Sequence, residues 1–205
     1  ANVPYFPSSE RAVRALARIS AWRARAAAVQ ALEPIRLTNL PDGVVPEYRS
    51  KELLGPIGIP FPQAKLATTL GEAQAAAETL GYPIVLKAQS ADLSHKSDAG
   101  GVIVGLADAC ALAEGWQRLA DNIAHHRPGL VLDGVLVAAM GARGTELIVG
   151  ARNDPEWGPV VLVGFGGVQA EVLQDVRLLP PDLDEAAILA EIDQLKSAAL
   201  LHGFR

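Results

Sequence analysis

Nine consecutive residues in the middle of the chain, 94–102, have the side-chain types that bind phosphate. His95 and Lys96 lie in a run of polar residues, and Gly100 and Gly101 lead from it into an apolar stretch. Imidazole, ammonium and backbone N–H groups donate charge-assisted hydrogen bonds to phosphate oxygens, and glycine lets the backbone approach a ligand closely. The same residues would also suit a polar hairpin tip whose glycines serve only the turn. The residues on either side decide between these interpretations.

A lysine near the end of the preceding apolar stretch is a second candidate phosphate ligand. Residues 83–88 read Pro-Ile-Val-Leu-Lys-Ala, which predicts a strand buried on at least one face. A buried ammonium keeps its charge only if an anion or water meets it. Lys87 therefore either binds an anion such as phosphate or extends along the strand to reach solvent.

Alternating short helices and strands must position these residues. We expect helices to begin at the capping residues Ser8 or Ser9, Thr69, Asp108, and Asp182 or Asp184, with a further short helix over 47–54. We expect strands over 63–67, 83–88, 131–140, 145–151 and 159–164. Residues 141–144 and 152–155 are typical of tight hairpin turns, so the sheet is predicted to be mixed or antiparallel. The last helix should carry Leu195 and Ala199 on its apolar face.

Composition limits the class of protein. The chain has 205 residues, half of them apolar, which suits one large or two small globular domains. A net charge of −5 gives no basic surface for nucleic acid, and no apolar run approaches the length of a membrane span. The single cysteine excludes an internal disulfide, and no signal sequence is recognisable. We therefore predict a cytoplasmic protein that binds neither nucleic acid nor membranes.

Four stretches together resemble the nucleotide-grasping (ATP-grasp) part of the NDP-forming acyl-CoA synthetases, relatives of succinyl-CoA synthetase. They are residues 81–87, 94–102, 146–150 and 154–175, in that order. The run His-Lys-Ser-Asp-Ala-Gly-Gly-Val from His95 is the most specific of them, and the resemblance covers roughly Glu47 to Arg205.

The resemblance implies an α/β (α+β) fold of the ATP-grasp type, with two lobes of mixed or antiparallel sheets flanked by helices, incomplete at the C-terminus. Residues 1–40 are then the helical tail of a preceding acyl-CoA-ligase region plus a linker. Residues 41–135 are the N-terminal lobe with a phosphate-covering loop, and residues 136–205 are part of the C-terminal lobe.

The resemblance also implies a reaction and a role for each site residue. An acyl-CoA, ADP and phosphate are interconverted with a free acid, CoA and ATP through an acyl phosphate and a phosphohistidine. His95 is the implied phosphoryl acceptor, Lys87 binds the nucleotide phosphates, and Glu146 binds the ribose hydroxyls. The backbone of Ala139 and Met140 is the hinge that meets the adenine edge. The phosphate-covering loop contributes Lys96, Ser97, Asp98, Gly100 and Gly101.

The implied cofactors are ATP or ADP and Mg²⁺, with the magnesium ligands expected outside this chain. Glu171 and Asp175 follow a second glycine loop, and they could contact the metal or make only structural hydrogen bonds, so no metal ligand is assigned. The implied partner is a CoA-binding region in the same polypeptide or in another subunit, within an oligomer. The chain is then a fragment, expected to be inactive alone.

Two other functions share part of this pattern. One is a non-catalytic, nucleotide-binding regulatory module of a protein acyltransferase fusion, suggested by the missing magnesium ligands and the arginine-rich first helix. The other is a carboxylate–amine ligase of the same superfamily, which would share the nucleotide site and would not need His95.

Overall fold

The computed structural model describes residues 5–28, 35–38, 40–142, 144–167 and 174–203. These residues divide into two compact units, one within 35–143 and the other within 1–34 and 144–205. The predicted domain boundaries at 40/41 and 135/136 differ from this division. The second predicted boundary falls inside a strand, 134–139, that lies in the middle of a sheet of the first unit. In the described ranges no helix combines the length and apolar character that crossing a membrane requires.

The five predicted helices and the five predicted strands occur in the expected order, and the described residues contain two further strands, 102–106 and 176–179, that were not predicted. The helices are α1 (Ser9–Ala28), α2 (Glu47–Leu54), α3 (Leu70–Leu80), α4 (Ala109–His126) and α5 (Glu185–Ile192). The strands are β1 (Ala64–Ala67), β2 (Ile84–Gln89), β3 (Val102–Leu106), β4 (Gly134–Ala139), β5 (Leu147–Asp154), β6 (Gly158–Phe165) and β7 (Val176–Leu179). Short 3₁₀ turns cover Gly55–Ile57 and Ala198–His202.

Side-chain caps start the helices where the sequence predicts them. Thr69 Oγ1 accepts a hydrogen bond from Glu72 N at 3.2 Å. Asp108 Oδ1 accepts one from Ala111 N at 2.8 Å, and Asp184 does the same for Ala187 N at 2.8 Å. Each cap satisfies an N–H group that has no partner within its own helix. The predicted starts of α3, α4 and α5 are therefore confirmed.

A four-stranded sheet in the order β1-β4-β2-β3 forms the centre of the unit within 35–143. All its neighbouring strands are antiparallel. Side chains alternate between the two faces of a strand, so Ile84, Leu86 and Ala88 all lie on one face of β2. These three are buried in a core together with side chains of α3 and α4. Lys87 and Gln89 consequently lie on the opposite face.

The connection between β4 and β5 corrects one prediction. The glycine-containing segment 141–144 was predicted to be a hairpin turn, but β4 and β5 belong to different sheets. Both edges of β4 are already hydrogen-bonded, to β1 on one side and β2 on the other, so β5 cannot pair with it. Strand β5 pairs instead with β6, which also pairs with β7.

The second predicted turn lies slightly later than expected. Strand β5 continues to Asp154, so the turn covers 155–157 rather than 152–155. Asp154 Oδ1 accepts hydrogen bonds from Glu156 N at 3.0 Å and Trp157 N at 3.2 Å. This side-chain-to-backbone pattern stabilises the tight connection between β5 and β6.

The predicted last helix is shorter than its apolar pattern suggested. Helix α5 ends at Ile192, so Leu195 and Ala199 lie beyond it. The buried side chain of Asp175 accepts hydrogen bonds from Lys196 N at 2.9 Å and Ser197 N at 2.7 Å. These bonds hold the chain in a turn that leads into the 3₁₀ segment, where a continuous helix would have needed both N–H groups.

We predict that Asp175→Ala destabilises the unit containing β5–β7, because two backbone N–H groups lose their acceptor in a buried place. The expected loss in free energy of unfolding is about 1–3 kcal/mol, measured by urea titration at pH 7. Asp182→Ala, at an exposed carboxylate nearby in sequence, is the control and should unfold like the unmodified protein. Equal stability of Asp175→Ala and the control would contradict the assignment.

Candidate phosphate-binding site

The two lysines that the sequence singled out lie against the same carboxylate. Lys87 Nζ, near the end of β2, is 2.8 Å from Glu47 Oε1. Lys96 Nζ, in the loop after β2, is 2.7 Å from Glu47 Oε2. Lys51 Nζ, one turn along α2 from Glu47, is 3.4 Å from Oε1. We call these four residues the lysine cluster.

The lysine cluster has more positive than negative charge. Three ammonium groups surround one carboxylate, which leaves an excess of two positive charges. The side chain of Glu47 is 24% exposed. Burial alone would raise its pKa, but hydrogen bonds and charge attraction from Lys87 and Lys96 outweigh burial and lower the pKa to about 2. Glu47 is therefore an anion at any physiological pH, and the cluster attracts further anions.

The start of α2 is fixed to strand β2 by a buried amide. Gln89 is 1% exposed, and its Oε1 accepts a hydrogen bond from Tyr48 N at 3.2 Å. Its Nε2 donates to the backbone carbonyls of Lys87 and Ala88 at 3.1 and 3.0 Å. Pro46, at the cap position of α2, makes no side-chain hydrogen bond to the helix. Gln89 thus caps α2 from the neighbouring strand and places Glu47 beside Lys87.

The loop 94–101 has an exposed part and a fixed part. His95, Ser97 and Asp98 are exposed, whereas Ala99 is buried in the core beneath. The exposed part presents an imidazole, a hydroxyl and a carboxylate to solvent within two residues of Lys96.

The two glycines of this loop pack against the protein itself. A Cβ on Gly100, where φ is +64°, would lie 2.7 Å from Asn122 Nδ2, and one on Gly101 would lie 3.0 Å from Lys96 O. Their N–H groups donate to Ser97 O at 3.0 Å and Lys96 O at 2.7 Å. Gly100 and Gly101 therefore form the turn that holds Lys96 in place. The N–H groups that they were expected to offer a phosphate are already hydrogen-bonded.

A cavity of about 400 Å³ adjoins the lysine cluster. It lies between α2 and the face of the sheet that carries Lys87. Its walls are Tyr48, Lys51, Glu52, Gly55, Ile59, Phe61, Pro62, Ala64, Leu66 and Leu136. The lining combines the charged side chains of Lys51 and Glu52 with apolar and aromatic ones, and the volume is within the usual range of small-molecule sites.

The predicted hinge lies next to this cavity along the chain. Ala139 N donates to Gln63 O at 3.0 Å, and Met140 N donates to Pro83 O at 3.4 Å. Gln63 lies between the cavity-lining residues Pro62 and Ala64. Because both N–H groups are engaged, carbonyl oxygens are the backbone groups that the hinge can offer to a base.

The remaining predicted site residue, Glu146, belongs to the other compact unit, as does Asp175. Glu146 is exposed, its backbone oxygen accepts a hydrogen bond from Gly166 N at 2.8 Å, and its carboxylate lies beside Gly167. Asp175 makes the structural hydrogen bonds described above, and these lower the pKa that burial would otherwise raise. Glu171 lies outside the described residues. Within the described part of the chain no three His, Cys, Asp or Glu side chains are grouped to hold a metal.

The sequence interpretation missed two members of the cluster, Lys51 and, at its centre, Glu47. Glu47 is 40 residues from Lys87 and 49 from Lys96, so no local spacing connects them. One signal was available: a lysine in a buried strand needs an anion, and Glu47 is an acidic residue in the first turn of a predicted helix. The partners expected for Lys87 were phosphate and solvent, and a carboxylate of the same chain was not among them.

We predict that Glu47 makes stability depend on pH. Its folded-state pKa of about 2 is below the ordinary value of 4.5, so its contribution is complete above about pH 5 and is lost as the pH falls towards 2. After allowance for solvent screening, this contribution is on the order of 2 kcal/mol. Urea titrations from pH 7 to pH 2 should therefore show a smaller loss of stability for Glu47→Gln.

The control for this titration is Glu78→Gln, at an exposed carboxylate on α3. It should follow the pH profile of the unmodified protein. Comparison of the two variants therefore separates the effect of Glu47 from the contribution of the other carboxylates. Identical profiles for Glu47→Gln and the unmodified protein would show that the cluster contributes nothing to stability.

Comparison with known proteins identifies the family. The model of the ATP-grasp domain family matches residues 38–205. The chain is 49% identical over 206 residues to trans-feruloyl-CoA synthase FCS1 from an unknown prokaryotic organism, an alignment that covers all of this chain and 29% of that protein. It is 37% identical over 161 residues to subunit beta of the ADP-forming acetate–CoA ligase II of Pyrococcus furiosus, covering 78% of this chain and 67% of the subunit.

A solved structure gives the same result. The dinucleotide-forming acetyl-coenzyme A synthetase 1 of Ca. Korarchaeum cryptofilum, in complex with coenzyme A, Ca-AMPCP and HgCl+, superposes with a TM-score of 0.76 at 34% identity. The match covers 78% of this chain and 70% of that one, whereas the chain spans less than a third of the feruloyl-CoA synthase. The chain belongs to the ATP-grasp family, in the group that includes the beta subunits of ADP-forming acetate–CoA ligases.

Proposed function

We propose that this chain is the nucleotide-binding part of an ADP-forming acyl-CoA synthetase, with the nucleotide phosphates bound by Lys87 and Lys96. The observation that carries the proposal is the meeting of two predicted phosphate ligands, from a strand and from a loop, at one carboxylate. Carboxylate and phosphate oxygens accept the same charge-assisted hydrogen bonds, so the position of Glu47 supports an anion site at these two lysines. ATP and ADP carry their phosphates as anions of this kind.

The adjoining cavity fits the remainder of the nucleotide. Its 400 Å³ can accept a base and part of a ribose, and the apolar and aromatic members of its lining, such as Phe61 and Leu136, suit the faces of an aromatic ring. Lys51 belongs both to the cavity wall and to the lysine cluster, so a ligand could occupy both at once. In this arrangement Ala139 and Met140 contact the edge of the base. Glu146 remains the proposed ribose ligand, on the basis of the family resemblance.

His95 is the proposed phosphoryl carrier. A neutral imidazole nitrogen attacks the terminal phosphorus of ATP, so that an N–P bond forms, the P–O bond breaks and ADP leaves. The phosphoryl group then passes to a histidine of the CoA-binding region and on to the acid, giving an acyl phosphate that CoA cleaves. Lys87 and Lys96 stabilise the negative charge that spreads over the transferred group. Magnesium would add positive charge there, with ligands that we expect outside this chain.

The named relatives favour this function over the two alternatives. Feruloyl-CoA synthase and acetate–CoA ligase both join an acid to CoA, which a carboxylate–amine ligase or a regulatory acyltransferase module would not do. One of them is a separate subunit and the other is a much longer protein. The CoA-binding region is therefore proposed to lie in a partner subunit or in the same polypeptide, within an oligomer.

We predict that Lys87→Ala weakens ADP binding about 30-fold, because one charged hydrogen-bond donor to phosphate is lost. Isothermal titration calorimetry with ADP and Mg²⁺ on the complete encoded protein measures this. The control is Lys65→Ala, at an exposed lysine between the cavity-lining residues of β1, whose side chain alternation places on the other face of the strand. Absence of ADP binding to the unmodified protein, or equal affinity in Lys87→Ala, would refute the proposed site.

We also predict that His95→Ala abolishes phosphoryl transfer. The complete protein incubated with ATP labelled in its γ-phosphate should acquire acid-labile label on His95, and CoA-thioester formation from acetate or ferulate should stop in the variant. Nucleotide affinity should change little, which separates loss of chemistry from loss of binding. His125→Ala, at an exposed histidine near the end of α4, is the control. Normal turnover by His95→Ala would exclude the carrier role.

A further inference from the structure

Glu47 has a place in the nucleotide site that goes beyond counterbalancing charge. We propose that Glu47 is a positioning residue, which holds Lys87 and Lys96 at the spacing needed to bind one phosphate group. This inference rests on the proposed function, since it assumes that nucleotide phosphate binds at these two lysines. Glu47 itself is not proposed to contact the transferred phosphoryl group.

The hydrogen-bond capacity of the two lysines permits this role. An ammonium group has three N–H donors, and both Lys87 and Lys96 make one hydrogen bond to Glu47. Neither lysine makes another hydrogen bond to the residues that the structure describes, so each retains two donors for another acceptor. Their side chains are 28% and 25% exposed, so these donors are accessible from solvent. A phosphate can bind to both lysines while the carboxylate stays in place.

Without Glu47, nothing in the cluster would keep the two ammonium groups together. Lys87 belongs to a strand and Lys96 to a largely exposed loop, and like charges at short range repel. The carboxylate uses a separate oxygen for each lysine and so fixes the loop residue relative to the strand residue. Ligand binding then does not have to immobilise two flexible side chains, which is a main cost of association.

The carboxylate is itself held in place by backbone and side-chain contacts. Gln89 caps α2 at Tyr48, the residue after Glu47, and Tyr48 Oη donates to Asp133 Oδ2 at 3.3 Å. Asp133 N donates to Gln89 O at 2.8 Å, which closes a ring of contacts between α2, β2 and the segment before β4. A displaceable surface ion pair would not need such support. A strand lysine held by a helix glutamate also aligns the phosphates in protein kinases.

Three substitutions at one position test the proposal in the complete encoded protein. Glu47→Ala and Glu47→Gln should raise the Kd for ADP about tenfold, the effect of having to order two lysines on binding. Glu47→Asp, which keeps the charge on a shorter stem, should recover part of that loss. Calorimetry should be done at a temperature where circular dichroism shows each variant to be folded, with Glu78→Gln as the charge-matched control on α3.

The possible outcomes separate this inference from the proposed function. Weaker ADP binding in Glu47→Ala with partial recovery in Glu47→Asp supports the positioning role. Equal or tighter binding in Glu47→Ala would overturn it, because a competing or irrelevant anion gives that result, while the nucleotide site itself would stand. Equally weak binding in Glu47→Asp and Glu47→Ala would also overturn it. No ADP binding by the unmodified protein would instead refute the proposed function.

Discussion

The arrangement around β2 depends on one shared carboxylate. Glu47 joins helix α2 to strand β2 and to the loop that follows β2, 40 to 49 residues later in the chain. It does so through ion pairs that are about three-quarters buried. Partly buried charges of one sign are costly without a partner of the other sign. Glu47 provides the partner of opposite charge for the lysines, and the lysines provide it for Glu47. Since the lysines outnumber the carboxylate, the site remains attractive to anions.

Strand alternation explains how an apolar strand can carry this charge. Ile84, Leu86 and Ala88 of β2 face α3 and α4 and are buried in the core, while Lys87 and Gln89 face α2 on the other side of the sheet. One face thus contributes hydrophobic stabilisation and the other contributes a charged and a hydrogen-bonding side chain. The strand needs no bend or break to do both.

Local patterns in the sequence were sufficient for much of the fold. The capping residues Thr69, Asp108 and Asp184 each act within their own helix turn, so their effect could be read directly from the sequence. Failures occurred where the deciding contact was distant. The link 141–144 has the composition of a hairpin turn, but the edges of β4 were already occupied by strands from earlier in the chain.

In the candidate site, too, local features could be recognised from the sequence and distant contacts could not. Lys87 and Lys96 could be selected because their residue types and neighbours were unusual, whereas Glu47 could not be connected to them before α2 was placed on the sheet. Gly100 and Gly101 were noticed for their freedom to approach a ligand, but they make room for Asn122 and for the loop's own backbone. The residue type was informative in each case, and the partner required the tertiary structure.

The fixed end of the 94–101 loop has a mechanical consequence. Ala99 is anchored in the core, and Asn122 Nδ2 donates to Gly100 O at 3.0 Å, so the loop is tethered on the β3 side. Lys96 tethers it again at Glu47, immediately after His95. Leu93, which is also buried in the core, anchors the chain two residues before His95, so the backbone on both sides of His95 has little room to swing. The imidazole of His95 must therefore move mainly by rotation about its own side-chain bonds. The groups that it can reach are consequently restricted to those close to the lysines.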